Sequence, residues 1–245
     1  MRAIPETIKQ LLIINILFFI GSQFLGETSY DLLALHYFNN EKFIFSQFLT
    51  HMFMHGNFYH ILFNMFGLYM FGSPLVQMWG SKKFLFFYFS AGLGAAGLQL
   101  FVYHLEIQSV FSVLESNGLS FSAFKNILSD GSYNPSILQY VDENSLTSAY
   151  SSFNSSLVGA SGAIYGVLVA FAFSFPNSEL MLLFPPIPIK AKFLVPGLIL
   201  IDVFFGFSSF SVGPIAHFAH VGGALTGLIM VWYWKKNQFN NNRWN

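Results

Sequence analysis

Six apolar runs, each long enough or nearly long enough to cross a hydrocarbon core as a helix, restrict what this chain can fold into. They lie at about 8–25, 57–79, 82–104, 157–175, 192–207 and 214–234. The fifth is short and carries Asp202. A bilayer core supplies no water to backbone N–H and C=O groups, so only helices or closed barrels cross it. Runs of this length predict helices, and therefore an all-α, polytopic membrane protein built as a six-helix bundle. Composition agrees: 54% of residues are hydrophobic and 9% charged, against about a quarter charged in a soluble domain. A net charge of zero offers no electrostatic footprint for nucleic acid. The absence of cysteine excludes disulfides, thiolate metal sites and cysteine catalysis.

The first run is also compatible with a signal peptide, since Arg2 and Lys9 precede it. It extends past a typical apolar core of such a peptide and no small-x-small cleavage site follows, so we read it as a span. With the N-terminus inside, the inner segments carry Arg2, Lys9, Lys82, Lys83, Lys190, Lys192, Lys235, Lys236 and Arg243. The outer loops carry only Lys42 and Lys125. This positive-inside bias predicts that both termini are cytoplasmic. Two outer loops are long, at 26–56 and 105–156. The second is rich in serine and asparagine, and reads as a polar insertion with short amphipathic helices at 120–129 and 135–143.

Polar and ionisable residues inside a span are costly and ask for a reason. His60 and Asn64 stand four apart on one face of the second run. Gly159-Ala160-Ser161-Gly162 opens the fourth, with Tyr165 one turn after Ser161. His220 lies on the sixth, followed by Gly223 and Gly227. These three runs descend from the outer side, so His60, Ser161 and His220 fall at similar depth. Gly162 with Gly166, and Gly223 with Gly227, form small-xxx-small pairs that let two membrane helices approach closely. Close approach is what a serine on one helix needs to meet a histidine on another.

A serine hydroxyl becomes a nucleophile when a base accepts its proton, and neutral His220 can be that base. Backbone N–H groups of Ala160 and Ser161, at a helix start, lack helical partners and can face an oxyanion. His60 and Asn64 can add side-chain donors. Tyr165 can pack on the imidazole, and no acid neighbours His220 in sequence, which favours a dyad.

The set His60-x-x-x-Asn64, Gly159-x-Ser161-Gly162 and Ala219-His220-x-x-Gly223-x-x-x-Gly227 resembles the rhomboid family of intramembrane serine proteases. The stretch from His51 to Asn64 is similar to that family's second-helix signature. The resemblance implies Ser161 as nucleophile, His220 as general base, oxyanion help from His60 and Asn64, and Tyr165 stacked on His220. It implies transmembrane segments of other proteins as substrates and the lipid bilayer as surroundings. A bacterial inner membrane is the setting expected from the compact six-span form. One departure is Ser46-Gln47, which stands where many relatives carry a tryptophan–arginine pair in the first loop.

Other readings have less behind them. A catalytically silent relative that binds transmembrane helices is opposed by the intact Ser161 and His220. A small histidine-dependent transporter leaves the oxyanion set unexplained. His51, His55 and His60 occur without HExxH or nearby acids, so no metal or other cofactor is expected. His51 and His55 read as hydrogen-bonded structural residues, and His217 as a polar neighbour of the cavity. Gly92-Leu93-Gly94-Ala95-Ala96-Gly97 matches a dinucleotide fingerprint but sits inside a span with no preceding strand, so it reads as helix packing. Asp202 reads first as a hydrogen-bonding partner for a neighbouring helix or at the cavity rim, with a third catalytic role as the alternative.

Overall fold

The computed structural model describes residues 3–181, 187–208 and 216–238. Each of the six apolar runs contains a helix within those residues, and such helices need little besides their own backbone hydrogen bonds. We label the principal helices α1 (Glu6–Leu25), α2 (Phe58–Trp79) and α3 (Ser81–Ser116). They continue as α4 (Phe121–Asp130), α5 (Glu143–Asn154), α6 (Ser161–Ser174), α7 (Ala191–Phe207) and α8 (His217–Gln238). Among the described residues α1, α2 and α3 are long and apolar enough to cross a membrane by themselves, and α6 is apolar but shorter. The start of the sixth expected run, at 214–215, lies outside the described residues, as do Arg2 and Arg243.

The burial pattern inverts that of a soluble protein. Leu17, Phe24, Leu200, Phe204 and Ile229 face outward, whereas Asn15, Gln47, Gln99 and Asp202 are buried. Large apolar side chains facing out are at no disadvantage in lipid, where the hydrophobic penalty of water is absent.

Three local features differ from expectation. The third helix runs twelve residues past 104, to Ser116, because the polar residues beyond 104 alternate with Ile107, Val110, Phe111 and Leu114 on one buried face. The 105–156 segment is accordingly a small helical unit rather than a polar loop. Phe124, Leu128, Ile137, Leu146, Ala149 and Phe153 pack on that face. Here the 120–129 helix appears as α4, Pro135–Gln139 is a short 3-10 turn, and α5 is an additional helix. Serine-rich α5 has Asp142 as its N-cap, accepting from Ser145 N at 2.9 Å.

Helix α2 contains a π-helical turn at Leu68–Gly72, just before Pro74. Proline removes one N–H from the ladder, and the Ser73 hydroxyl donates to the Tyr69 carbonyl at 2.6 Å. Helix α6 starts at Ser161 rather than at 157. Its preceding residues are held as extended chain: Leu157 bridges Leu35, and Gly159 N donates to the His51 carbonyl at 2.9 Å. A two-stranded hairpin of β1 (Glu179–Met181) and β2 (Pro188–Lys190) leads into α7.

Candidate active site

Ser161 is the first residue of α6, with Ala160 as the N-cap in helical conformation. Gly159 before it has φ 119°, a region open to glycine and hardly to other residues. That conformation turns the chain sharply from the His51-bonded strand into the helix, so the serine emerges at the first turn. The Ser161 N–H belongs to the group that a helix start leaves without a helical acceptor.

His220 sits on the first turn of α8, where Ala219 N donates to the Gln99 side chain of α3 at 3.0 Å. The small residues bring the two helices together. A Cβ at Gly223 would overlap the Gly162 carbonyl, and one at Gly227 would lie 2.7 Å from Gly166 Cα. Gly162 and Gly166 also face Ala95 and Ala91 of α3. At this separation the Ser161 hydroxyl lies 2.9 Å from His220 Nε2. Tyr165 stacks on the His220 ring with centroids 4.2 Å apart and planes 9° from parallel.

On the other side of Ser161 stands His60. Its Nε2 and the Ser161 hydroxyl both lie within 4 Å of the point where a Gly159 Cβ would be. Gly56 N donates to His60 Nδ1 at 3.3 Å. A backbone N–H only donates, so Nδ1 is the acceptor, and in the neutral ring the hydrogen is on Nε2, the atom beside Gly159. Asn64 is buried and donates its amide to the His60 carbonyl at 2.8 Å. One amide hydrogen is thus engaged on its own helix, leaving the second for another acceptor.

The contact that sequence order concealed is Asp202. Its Oδ1 is 3.0 Å from His220 Nδ1 and 2.6 Å from His217 Nδ1. The Tyr165 side chain lies near the same carboxylate. His217 is therefore bound to an acid, beyond its reading as a polar neighbour of the cavity. The sequence signal was one buried acid in a span, with nothing to say which histidine it faced.

His51 and His55 have structural explanations. His51 Nδ1 donates to the Gln47 carbonyl at 2.8 Å, and His55 Nδ1 to the Phe53 carbonyl at 3.2 Å. Burial pushes both rings down to about 4 from 6.5, His60 adding to the effect at His55, so both are neutral at physiological pH. Gln47 supplies the anchor of the first loop. It accepts from His36 N and Ile44 N, and donates to the carbonyls of Asp31 and Lys42 at 3.0 and 2.8 Å. In the glycine run of α3, Gly92 faces Met52 and Gly94 faces Thr226, while Gly97 faces open space. Two of the three are packing sites.

Residues 42–124 and 136–237 match the Rhomboid domain family. The chain belongs to the rhomboid family. Rhomboids are integral membrane proteins, and the helical fold described above is of that kind. The chain is 24% identical over 186 residues to "Rhomboid protein 1, mitochondrial" of Saccharomyces cerevisiae, covering 75% of this chain and 40% of that protein. It is 26% identical over 206 residues to "Presenilin-associated rhomboid-like protein, mitochondrial" of Homo sapiens, covering 80% of this chain and 41% of that protein. This rhomboid thus spans about two fifths of the length of those relatives. Both are named mitochondrial, which lends no support to the bacterial inner membrane expected from the compact form.

Proposed function

We propose that this rhomboid is an intramembrane serine endopeptidase that cleaves transmembrane segments of other proteins near the outer boundary of the membrane. The observation that carries the reading is the 2.9 Å approach of the Ser161 hydroxyl to His220 Nε2, with Tyr165 stacked on the ring. In this mechanism Ser161 Oγ–H gives its proton to His220 Nε2 as the oxygen attacks the scissile carbonyl. The tetrahedral oxyanion takes hydrogen bonds from the backbone of Ser161 and Ala160, from His60 Nε2–H and from the free amide hydrogen of Asn64. Collapse expels the amine, which receives the proton from His220, and leaves an acyl group on Ser161. Water, deprotonated by His220, then releases the acyl product.

Hydrolysis within a bilayer needs a wet cavity, and the shortness of α6 supports one. At 1.5 Å per residue its fourteen residues rise about 21 Å, less than the roughly 30 Å hydrocarbon thickness. Ser161 then lies below the outer surface, reached by a segment of non-helical backbone that is tolerated at depth only where protein or a cavity surrounds it. In this arrangement the start of α1 and the end of α8 face the inner side, in keeping with the charge bias. The test is labelling of the purified protein by a fluorophosphonate probe, with Ser161→Ala and His220→Ala alongside. We expect labelling of the wild type alone. Persistent labelling of Ser161→Ala overturns the assignment of the nucleophile.

A further inference from the structure

We propose that Asp202 is a positioning residue for His220, fixing the imidazole tautomer that can take the Ser161 proton. The inference rests on the reading of Ser161 as nucleophile and His220 as base. It adds an acid where a serine–histidine dyad was expected.

Asp202 is 4% exposed on α7, among residues that otherwise face lipid or apolar core. An acid in that position is costly unless its oxygens accept hydrogen bonds. Here Oδ1 meets the Nδ1 atoms of both His220 and His217. An ionised carboxylate only accepts, so each of those ring nitrogens must carry a hydrogen. With its hydrogen on Nδ1, neutral His220 presents a bare lone pair at Nε2. That is the atom 2.9 Å from the Ser161 hydroxyl. The opposite tautomer would set an N–H against the hydroxyl and could not take its proton.

Three elements converge to hold this arrangement. Tyr165 on α6 covers one face of the His220 ring. Asp202 on α7 binds its Nδ1 edge. His217, one turn before His220 on α8, grips the same carboxylate oxygen at 2.6 Å and stacks on Phe205 of α7 with centroids 5.8 Å apart. His217 thereby fastens α7 to α8 at the level of the site. Its own Nε2 is buried without a hydrogen-bond partner among the described residues, so Asp202 is the polar anchor of the ring there. When His220 gains the serine's proton, the carboxylate stands beside the new positive charge, where a preorganised charge needs no rearrangement to act.

The test uses Asp202→Asn, which keeps size and burial but brings an N–H donor to the histidine edge and so favours the wrong tautomer. We expect kcat for a transmembrane substrate in nanodiscs to fall about 10²- to 10⁴-fold, with KM changing less than about twofold. The rate of fluorophosphonate labelling should fall in parallel. Asp202→Glu should restore part of the loss. A purely structural role for Asp202 would lower the yield of active enzyme without a tautomer change. Therefore the wild-type protein, labelled with ¹⁵N-histidine, supplies a second reading that needs no variant: His220 is expected to be protonated on Nδ1 and bare on Nε2. A His220 protonated on Nε2, or Asp202→Asn with wild-type kcat, overturns the proposal. Cleavage by Ser161→Ala would instead sink the underlying serine-protease reading, so the two failures are distinguishable.

Discussion

Gly227→Ala tests whether helix separation, and not only side-chain identity, sets the activity. The added Cβ would lie 2.7 Å from Gly166 Cα and 2.9 Å from its carbonyl oxygen, both backbone atoms that cannot swing aside. An ordinary carbon contact requires about 3.5–4.0 Å, so α6 and α8 must part locally by about 0.8 Å or more. Gly227 lies about two turns along α8 from His220, and a rigid helix carries much of that displacement to the ring. The Ser161–His220 distance would then grow from 2.9 Å to about 3.5 Å, beyond a normal hydrogen bond. Misplacement on this scale costs about 10²-fold in rate, and overpacking costs about 1–3 kcal/mol of stability. The assay is kcat and KM on a transmembrane substrate in nanodiscs, with thermal unfolding of the same preparation. Gly97→Ala is the control, because nothing lies within 4 Å of its added Cβ. Wild-type turnover and melting in Gly227→Ala would refute the claim that backbone contact between these helices builds the site.

Three further outcomes are expected. His60→Ala, and separately Asn64→Ala, should lower kcat by about 10²- to 10³-fold with KM nearly unchanged; an unchanged rate in either would remove that residue from the oxyanion site. Burial holds His51 and His55 at about 4, against 6.5 unperturbed, so from pH 6.5 down to 4 the unfolded chain binds protons that the folded chain refuses. Stability is fully present above pH 6.5 and is lost as pH falls toward 4, and a melting temperature that stays flat across that window would contradict it. Gln47→Ala removes both donors and the acceptor of the first-loop anchor, and should lower stability by about 2–4 kcal/mol. Denaturant unfolding within about 0.5 kcal/mol of wild type would show that the loop is held elsewhere.

Much of the fold was legible because membrane helices carry their own hydrogen bonds. A run of apolar residues such as 8–25 states its secondary structure almost without reference to the rest of the chain. What escaped that logic was the 105–156 segment. Its polar composition hides a modest apolar face, and Ile107, Phe111, Phe124 and Leu146 become a core only when α3, α4 and α5 meet. Gln47 was similarly opaque: a lone amide in sequence, it becomes an anchor when the loop folds back to bring His36, Asp31 and Lys42 around it.

The sequence by itself determined the helical membrane class, the order of His60, Ser161 and His220 on its helices, and the small residues that make their approach possible. All of these depend on local period, length and composition. Tertiary structure alone decided which partner each histidine has. Asp202 lies well before His217 and His220 in the chain and on a different helix, with 209–215 intervening. Only the packing of α7 against α8 sets its carboxylate 3.0 Å from His220 Nδ1. A tautomer is a property of such a contact, and contacts between helices are not written in the period of either one.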